Sequence, residues 1–348
     1  MEKRNVIGIT MGDPGSIGPE ITVKALGNPS IYEKIRPLVI GDAWVMEEAL
    51  KITGREDLAV HPVDSVEKCR FKPGIIDVFD LKIVDRGELL RAEVSKISGE
   101  AAFRYVEKVI RLARDGEVDA TVTNALNKEA LNLAGHHYSG HTEIYAHMTG
   151  TKSYTMLLVH ENLRVVHVST HVSLRQACDL VKKPRVLEVI RIADQACRQM
   201  GIQKPKIGVA GLNPHSGENG LFGKEEIEEI IPAITEARDE GILAEGPVPP
   251  DSLFPKARGG WYDIVVAMYH DQGHIPLKVA GFVYDREHGK WETVSGVNIT
   301  LGLPIIRVSV DHGTAFDQAG TGTASELSLK NSLEYAVMFA RNRKQQRV

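Results

Sequence analysis

The sequence predicts an α/β fold, mainly doubly wound and divided into two domains, and three observations carry that expectation. Short β-branched runs alternate with longer segments whose apolar residues recur three and four apart, the rhythm of strands followed by helices. A length of 348 residues favours about two domains over one. A hydrophobic content of 43% supplies enough apolar surface for a sizeable core.

Taken in order, NVIGIT, RPLVIGD, DATVTNA, PKIGVAGLN, YDIVVAMYH and PIIRVSV read as strands, and residues 98–114, 184–200, 224–241 and 328–343 as helices. One stretch breaks the alternation. YTMLLVHENLRVVHVSTH holds two apolar runs separated by His-Glu-Asn, which reads as an antiparallel hairpin of the second domain. YDREHGKWETVS, from Tyr284 to Ser295, is polar and turn-rich and reads as a surface loop or small hairpin. With no internal repeat and no low-complexity linker, the domains are expected to be joined by strands that run from one to the other.

A formal charge of -4 with both signs interspersed gives no basic stripe for nucleic acid and no acidic tail. The opening MEKRNVIGITMGDPG has a five-residue apolar run before Gly-Asp-Pro, too short for a signal peptide or membrane span, so a soluble cytoplasmic protein is expected. Cys69, Cys178 and Cys197 are far apart and odd in number, which argues for reduced thiols over a disulfide framework or thiolate metal site.

Four constellations carry chemistry. In ITMGDPGSIGPE, residues 9–20, a strand runs into a glycine-rich turn with Pro19 and Glu20 opening a helix. Gly12, Gly15 and Gly18 are spaced G-x-x-G-x-x-G, which is not the dinucleotide fingerprint; a structural turn and a ligand-lining loop both fit. In TNALNKEALNLAGHHYSGHTE, Asn127-Lys128 opens one helix and Gly140-His141-Thr142-Glu143 the next. Thr142 then either caps that helix or helps its backbone N–H groups hold an anion. His171, His215 and His270 each stand at or just past the end of an apolar strand, the edge where open α/β sheets collect ligands. Each reads alone as a capping residue, and together as three nitrogens for a catalytic divalent ion. His167, beside His171, is expected to point to the opposite face of its strand. Finally, VNITLGLPIIRVSVDHGTAFDQAGTGTA sets Arg307 inside an apolar strand, where a guanidinium needs an anionic partner. The small residues after it suit either a surface loop or a nucleotide-wrapping one.

Read together, MGDPGSIGPE, LNKEAL, GHTE, STHVSLR, GLNPHSGENGLFG, GPVPPDSLF, AMYHDQGHIPLK and GVNITLGLPIIRVSVDHGTAFDQAG resemble the 4-hydroxythreonine-4-phosphate dehydrogenase (PdxA) family, in family order from residue 10 to about 325. DHGTAFDQAGTGTA also looks like the NAD-binding loop of isopropylmalate and isocitrate dehydrogenases. The resemblance implies their two-domain α/β/α architecture, with residues 1–130 and 300–348 in one domain and 131–299 in the other. The active site is then expected in the interdomain cleft at a dimer interface.

What the resemblance implies about residues is specific. A divalent metal (Zn, Mg, Mn or Co) is implied at His171, His215 and His270, drawn from both subunits of a homodimer. Substrate contacts are implied at His141, Thr142, Lys278, Asn298 and Arg307, and a cofactor loop at His312, Gly313, Thr314, Ala315 and Asp317. Asp251 and Asp271 match acidic positions of the active site, and Asp271 or Lys278 would move protons. The implied reaction is oxidation of a secondary alcohol by NAD, aided by a metal that lowers the alcohol's pKa and stabilises the enolate left as CO₂ departs. No arginine cluster marks a 2′-phosphate site, which favours NAD over NADP.

Two spellings, GENGLFG and DQGHIPLK, look closer to the branch acting on 4-phospho-D-threonate and 4-phospho-D-erythronate, whose product is dihydroxyacetone phosphate, than to the vitamin B6 branch. A phosphorylated-ligand binding or acyl-transfer protein on the same architecture is the alternative of another class. In one departure, VYDREHGKWETVS stands where close relatives pass directly from GF to GVNIT. It either leans over the cleft and alters substrate choice, or points outward.

Overall fold

The computed structural model describes residues 4–287, 290–294 and 296–346. Strands β1–β14 and helices α1–α12, numbered in chain order, form two compact units, Met1–Lys152 with Leu303–Val348, and Ser153–Gly302. The mixed α/β class is as expected.

The first unit carries the parallel strand order β3-β4-β2-β1-β5-β14, made from Ala59–Val63, Ile75–Asp80, Ile35–Gly41, Asn5–Thr10, Ala120–Thr123 and Arg307–Val310. All six residues of β1 are buried, and a strand covered on both faces reads as a continuous apolar run, as NVIGIT does. Helices α1 (Gly18–Leu26), α2 (Pro29–Lys34), α3 (Ala43–Ile52), α4 (Lys96–Arg114), α5 (Lys128–Leu133), α6 (His141–Thr149) and α12 (Leu327–Gln346) complete it. α4 packs on β1, β2 and β5, and α12 on β1, β5 and β14. α4 starts where Ser95 accepts a hydrogen bond from the Ser98 amide, and buries Ala101, Tyr105, Val109 and Leu112 at helical spacing.

In the second unit the order is β13-β6-β7-β10-β8-β9. β6 (Thr155–His160) and β7 (Leu163–His167) form the expected antiparallel hairpin, and β13 (Val297–Leu301) joins β6 antiparallel. β10 (Ile264–Ala267), β8 (Lys206–Ala210) and β9 (Leu243–Val248) then continue in parallel from β7. Its core gathers Leu158, Leu163, Val165, Leu253, Phe254, Tyr262, Val265 and Leu277. Helices α7 (Leu174–Leu180), α8 (Lys183–Gln199), α9 (Ile231–Asp239), α10 (Pro250–Arg258) and α11 (His270–Gly281) surround it. The inserted segment is a two-stranded antiparallel hairpin of β11 (Phe282–Asp285) and β12 (Lys290–Val294); His288, Gly289 and Ser295 lie outside the described residues.

Two expectations differ in detail. The unit edges fall at 152/153 and 302/303, beyond the 130/131 and 299/300 read from sequence. The reason is α6: it packs against α4, and the Tyr145 hydroxyl donates 2.9 Å to Thr121 of β5, tying it into the first unit. β10 stops at Ala267, so His270 is the first residue of α11 and not the last of a strand. Among the described residues, no helix is long and apolar enough to cross a membrane.

Candidate functional site

Arg307 opens β14 and is 3% exposed. Its Nη1 donates to Thr142 Oγ1 at 3.3 Å and its Nη2 to Thr123 Oγ1 at 3.0 Å, with the Tyr145 ring 5.7 Å from the guanidinium carbon. Burial lowers its pKa to about 10, so desolvation outweighs the compensation these hydroxyls and the ring provide. Thr142 lies in the first turn of α6, whose N-cap is Gly140 without a side-chain cap bond. The capping reading of Thr142 therefore gives way to its contact with Arg307. Glu143 instead accepts from the Ser139 amide at 2.8 Å. His141 is held neutral, its pKa lowered well below the ordinary value first by burial and then by the Arg307 charge, and its Nε2 is a buried nitrogen without a hydrogen-bond partner. A buried cation, a hydroxyl and a helix start together form an arrangement suited to a phosphate.

The segment from His312 to Thr323 follows β14. Ala315 takes φ 45°, and Gly320 and Gly322 take φ 85° and 71°, a left-handed region that suits glycine. The His312 Nδ1 lies 2.8 Å from the Gly313 carbonyl, and Asp317 is exposed. Backbone contact ties this segment to the glycine-rich turn of residues 12–18, since the Ile17 amide donates to the Thr314 carbonyl at 3.3 Å. In that turn Asp13 is fully buried. Its Oδ1 accepts from the Gly15 amide at 2.8 Å, its Oδ2 has no partner, and burial pushes its pKa up to about 6.

In the second unit the His171 and His270 rings come within 6.0 Å of each other, centroid to centroid. The His270 Nδ1 is 2.7 Å from Asp271 Oδ1, which fixes the ring and leaves Nε2 as the nitrogen a ligand could take. His274, one turn along α11, stacks on His270 at 3.6 Å, and its Nδ1 donates to the His270 carbonyl at 3.0 Å. His167 lies behind them, 4.8 Å from the His274 ring and 6.5 Å from that of His270. This corrects the expectation that His167 faces away: residues four apart along a strand share a face, so alternation itself sets His167 and His171 on one side, although β7 ends at His167. Burial first, then neighbouring imidazoles, lowers His167 to about 3 and His274 to about 4, so both are neutral.

His215 stands apart from that pair, in the turn Pro214–Gly220, and its side chain is 72% exposed. His215, Ser216, Gly217, Glu218 and Asn219 all have φ between 44° and 82°, a run of left-handed residues that costs roughly 1–2 kcal/mol at each non-glycine position. The stem is rigid. Buried Glu226 accepts from the amides of Leu212 and Asn213 at 2.8 and 2.7 Å, and from Asn213 Nδ2 at 2.9 Å.

Lys278, in the last turn of α11, lies 4.1 Å from the Phe282 ring centroid. Asn298 is half-buried in β13 with its amide 2.6 Å from Met156 Sδ, and Asp251 is exposed in the first turn of α10. Thus Arg307 meets Thr142, and His171 approaches His270, which Asp271 holds; among the described residues, His215, Asp251 and Asn298 make no hydrogen bond or ring contact to either group. The donors fit a divalent ion in kind, as imidazoles with a carboxylate behind one of them. No group of three His, Cys, Asp or Glu placed to hold a metal occurs among the described residues. Sequence reading missed His274, Glu226, Asp13 and Thr123. Only His274 had a usable signal, its i, i+4 spacing from His270.

The sequence matches the family model described as "Pyridoxal phosphate biosynthetic protein PdxA" over residues 33–336. It is 48% identical to D-threonate 4-phosphate dehydrogenase of Cupriavidus necator, over 97% of this chain and 98% of that one. With the Salmonella typhimurium protein of the same name it shares 47%, over 98% of this chain and all of the other. Among solved structures, 4-hydroxythreonine-4-phosphate dehydrogenase of Klebsiella pneumoniae is 44% identical and superposes with a TM-score of 0.86, covering 97% of this chain and 98% of that one.

Proposed function

Since the chain belongs to the PdxA family, we propose that it is a dehydrogenase of a phosphorylated hydroxy acid, oxidising the C3 hydroxyl of 4-phospho-D-threonate or 4-phospho-D-erythronate with NAD and releasing CO₂ and dihydroxyacetone phosphate. The observation that carries the reading is the buried Arg307 with Thr142 and the start of α6, because a guanidinium, a hydroxyl and helix-start N–H groups side by side match the donors a phosphate takes. The relatives named D-threonate 4-phosphate dehydrogenase favour the sugar-acid branch.

In this reading Arg307, Thr142 and His141 hold the phosphate, with Asn298 contributing a further polar contact, and so fix where the alcohol stands. His171, His215 and His270 would hold a divalent ion, the set being completed by a second copy of the chain in a homodimer. When bound, such an ion would supply Lewis-acid polarisation and NAD a hydride acceptor. Asp271 fixes the His270 tautomer through Nδ1. Asp271 or Lys278 takes the hydroxyl proton, and one of them returns a proton to the carbon that loses CO₂; Asp251 is assigned to the same acidic set. His312 to Ala315 and Asp317 line the dinucleotide. We assign the inserted hairpin to the surface, without a part in substrate choice.

NAD reduction by purified protein with a divalent ion tests the reading, comparing 4-phospho-D-threonate, 4-phospho-D-erythronate and 4-phosphohydroxy-L-threonine. Preference for either of the first two, abolished by a chelator and restored by the ion, is expected. Preference for the third would move the protein to the vitamin B6 branch. Full turnover after chelation would remove the metal-dependent chemistry.

A further inference from the structure

The glycine-rich turn and α1 lie outside the reaction chemistry described above, yet they hold the segment to which that reading assigns the dinucleotide. Glu20 is 0% exposed, and its two oxygens go to two loop amides: Oε1 accepts from Gly320 at 2.6 Å and Oε2 from Gly322 at 2.8 Å. Lys24, one turn further along α1, donates to the carbonyls of Gly322 at 2.8 Å and Ala324 at 2.6 Å. The Ile17 amide, at the start of the same helix, reaches the Thr314 carbonyl. One helix thus grips the loop at both ends, through its amides and its carbonyls.

Gly320 and Gly322 both have positive φ, so the backbone there is the kind that other conformations compete with once its fixed partners are removed. The carboxylate gives each amide a charge-assisted acceptor, stronger than a neutral one.

We propose that Glu20 and Lys24 are positioning residues for the dinucleotide, acting through the loop of residues 312–324 and touching neither cofactor nor substrate. This rests on the reading of that loop as the NAD segment. The rejected fingerprint in ITMGDPGSIGPE acquires a role of a different kind: it places a helix that braces the binding loop instead of cradling phosphates itself.

The test compares wild type, Glu20→Gln and Lys24→Met for NAD affinity by calorimetry, for KM of NAD and of the phosphorylated substrate, and for amide hydrogen exchange at Gly320 and Gly322. Glutamine keeps one acceptor oxygen and turns an NH₂ toward the other amide, so faster exchange and an NAD KM raised about tenfold are expected, with substrate KM within about twofold. Lys24→Met, at a half-buried position, is expected to act in the same direction even where Glu20→Gln impairs folding. Folded Lys24→Met with unchanged NAD affinity and unchanged exchange would overturn the proposal. Faster exchange with unchanged NAD affinity would reduce the brace to a structural role and overturn it equally. If the wild type binds no NAD, the functional reading itself fails, and the exchange data alone report whether the loop is braced.

Discussion

The Arg307 region of the first unit and the histidine edge of the second are built on opposite principles. Arg307 is 3% exposed and is held by side chains from β5 and α6 together with its own strand. By contrast, His215 and Asp271 have side chains 72% and 68% exposed, and His171 is exposed as well. In the proposed reading the buried Arg307 cation is in place before the phosphate arrives, and the low dielectric around it strengthens its pull on an anion. The histidine edge has no such enclosure: Asp271 and His274 hold the His270 ring, while His171 and His215 face solvent. One region is enclosed by the fold and the other is left at its surface.

The largest effect expected from that difference is a loss of function without a loss of stability. His215→Ala is predicted to abolish turnover and weaken divalent-ion binding, while its unfolding free energy stays within about 0.5 kcal/mol of wild type, as for surface substitutions generally. Kinetics beside a thermal melt check both halves. Full activity would remove His215 from the ligand set, and a large drop in stability would show that the exposed edge is not independent of folding.

Arg307→Met sharpens the contrast from the other side. Loss of the guanidinium should lower kcat/KM for the phosphorylated substrate by about 10³, the scale for removing one member of a buried charge pair. The same substitution should leave the apo protein no less stable, because it removes a buried charge whose desolvation exceeds its compensation. If apo Arg307→Met melts well below wild type, the arginine is a structural post and not a waiting binding group.

These two regions were also unequally legible in the sequence. A lone arginine in PIIRVSV announces itself, because charge inside an apolar run demands a partner. The strands and the hairpin were legible for a similar reason, their apolar period being dictated by burial. What stayed hidden depends on backbone geometry: the left-handed run at His215–Asn219, the bidentate grip of Glu20 on two glycine amides, and the position of His167 once its strand ends. The Glu20 grip joins a side chain to backbone amides many positions away, and residue order carries no trace of such a contact. His215 stood out by its place just past an apolar strand, and the family resemblance then implied a metal role that spacing alone could not decide.

Asp13 extends the comparison to pH. Its carboxyl is fully buried, with a folded pKa of about 6 against an ordinary 3.8. Between those values the native state binds more protons than the unfolded one, so rising pH removes stability. The window is about 2 pH units, and the loss is about 3 kcal/mol, complete above the folded pKa. Asp13→Asn keeps an oxygen for the Gly15 amide and cannot ionise. Urea unfolding at about pH 4 and about pH 8 should show the variant gaining on wild type at the higher pH. An equal difference at both would mean that Asp13 ionises in the fold at no cost.

The smallest effect belongs to the packed layer beneath the exposed histidines. Gly273 lies in α11 between His270 and His274, and a Cβ there would meet His167 Nε2 at 2.4 Å and Val165 Cγ1 at 2.6 Å. Both neighbours are fully buried, so neither can swing away into solvent. Gly273→Ala gains helix propensity of about 1 kcal/mol and loses about 1–3 kcal/mol to overpacking, a net destabilisation of at most about 2 kcal/mol. Its consequence for function should be larger than for stability: α11 must shift away from β7, and His270 moves with it away from His171. A variant with a slightly lowered melt, weakened divalent-ion affinity and lower kcat would show that the open edge takes its geometry from this buried contact. A variant that keeps wild-type ion affinity would show that the ion orders the histidines whatever lies behind them.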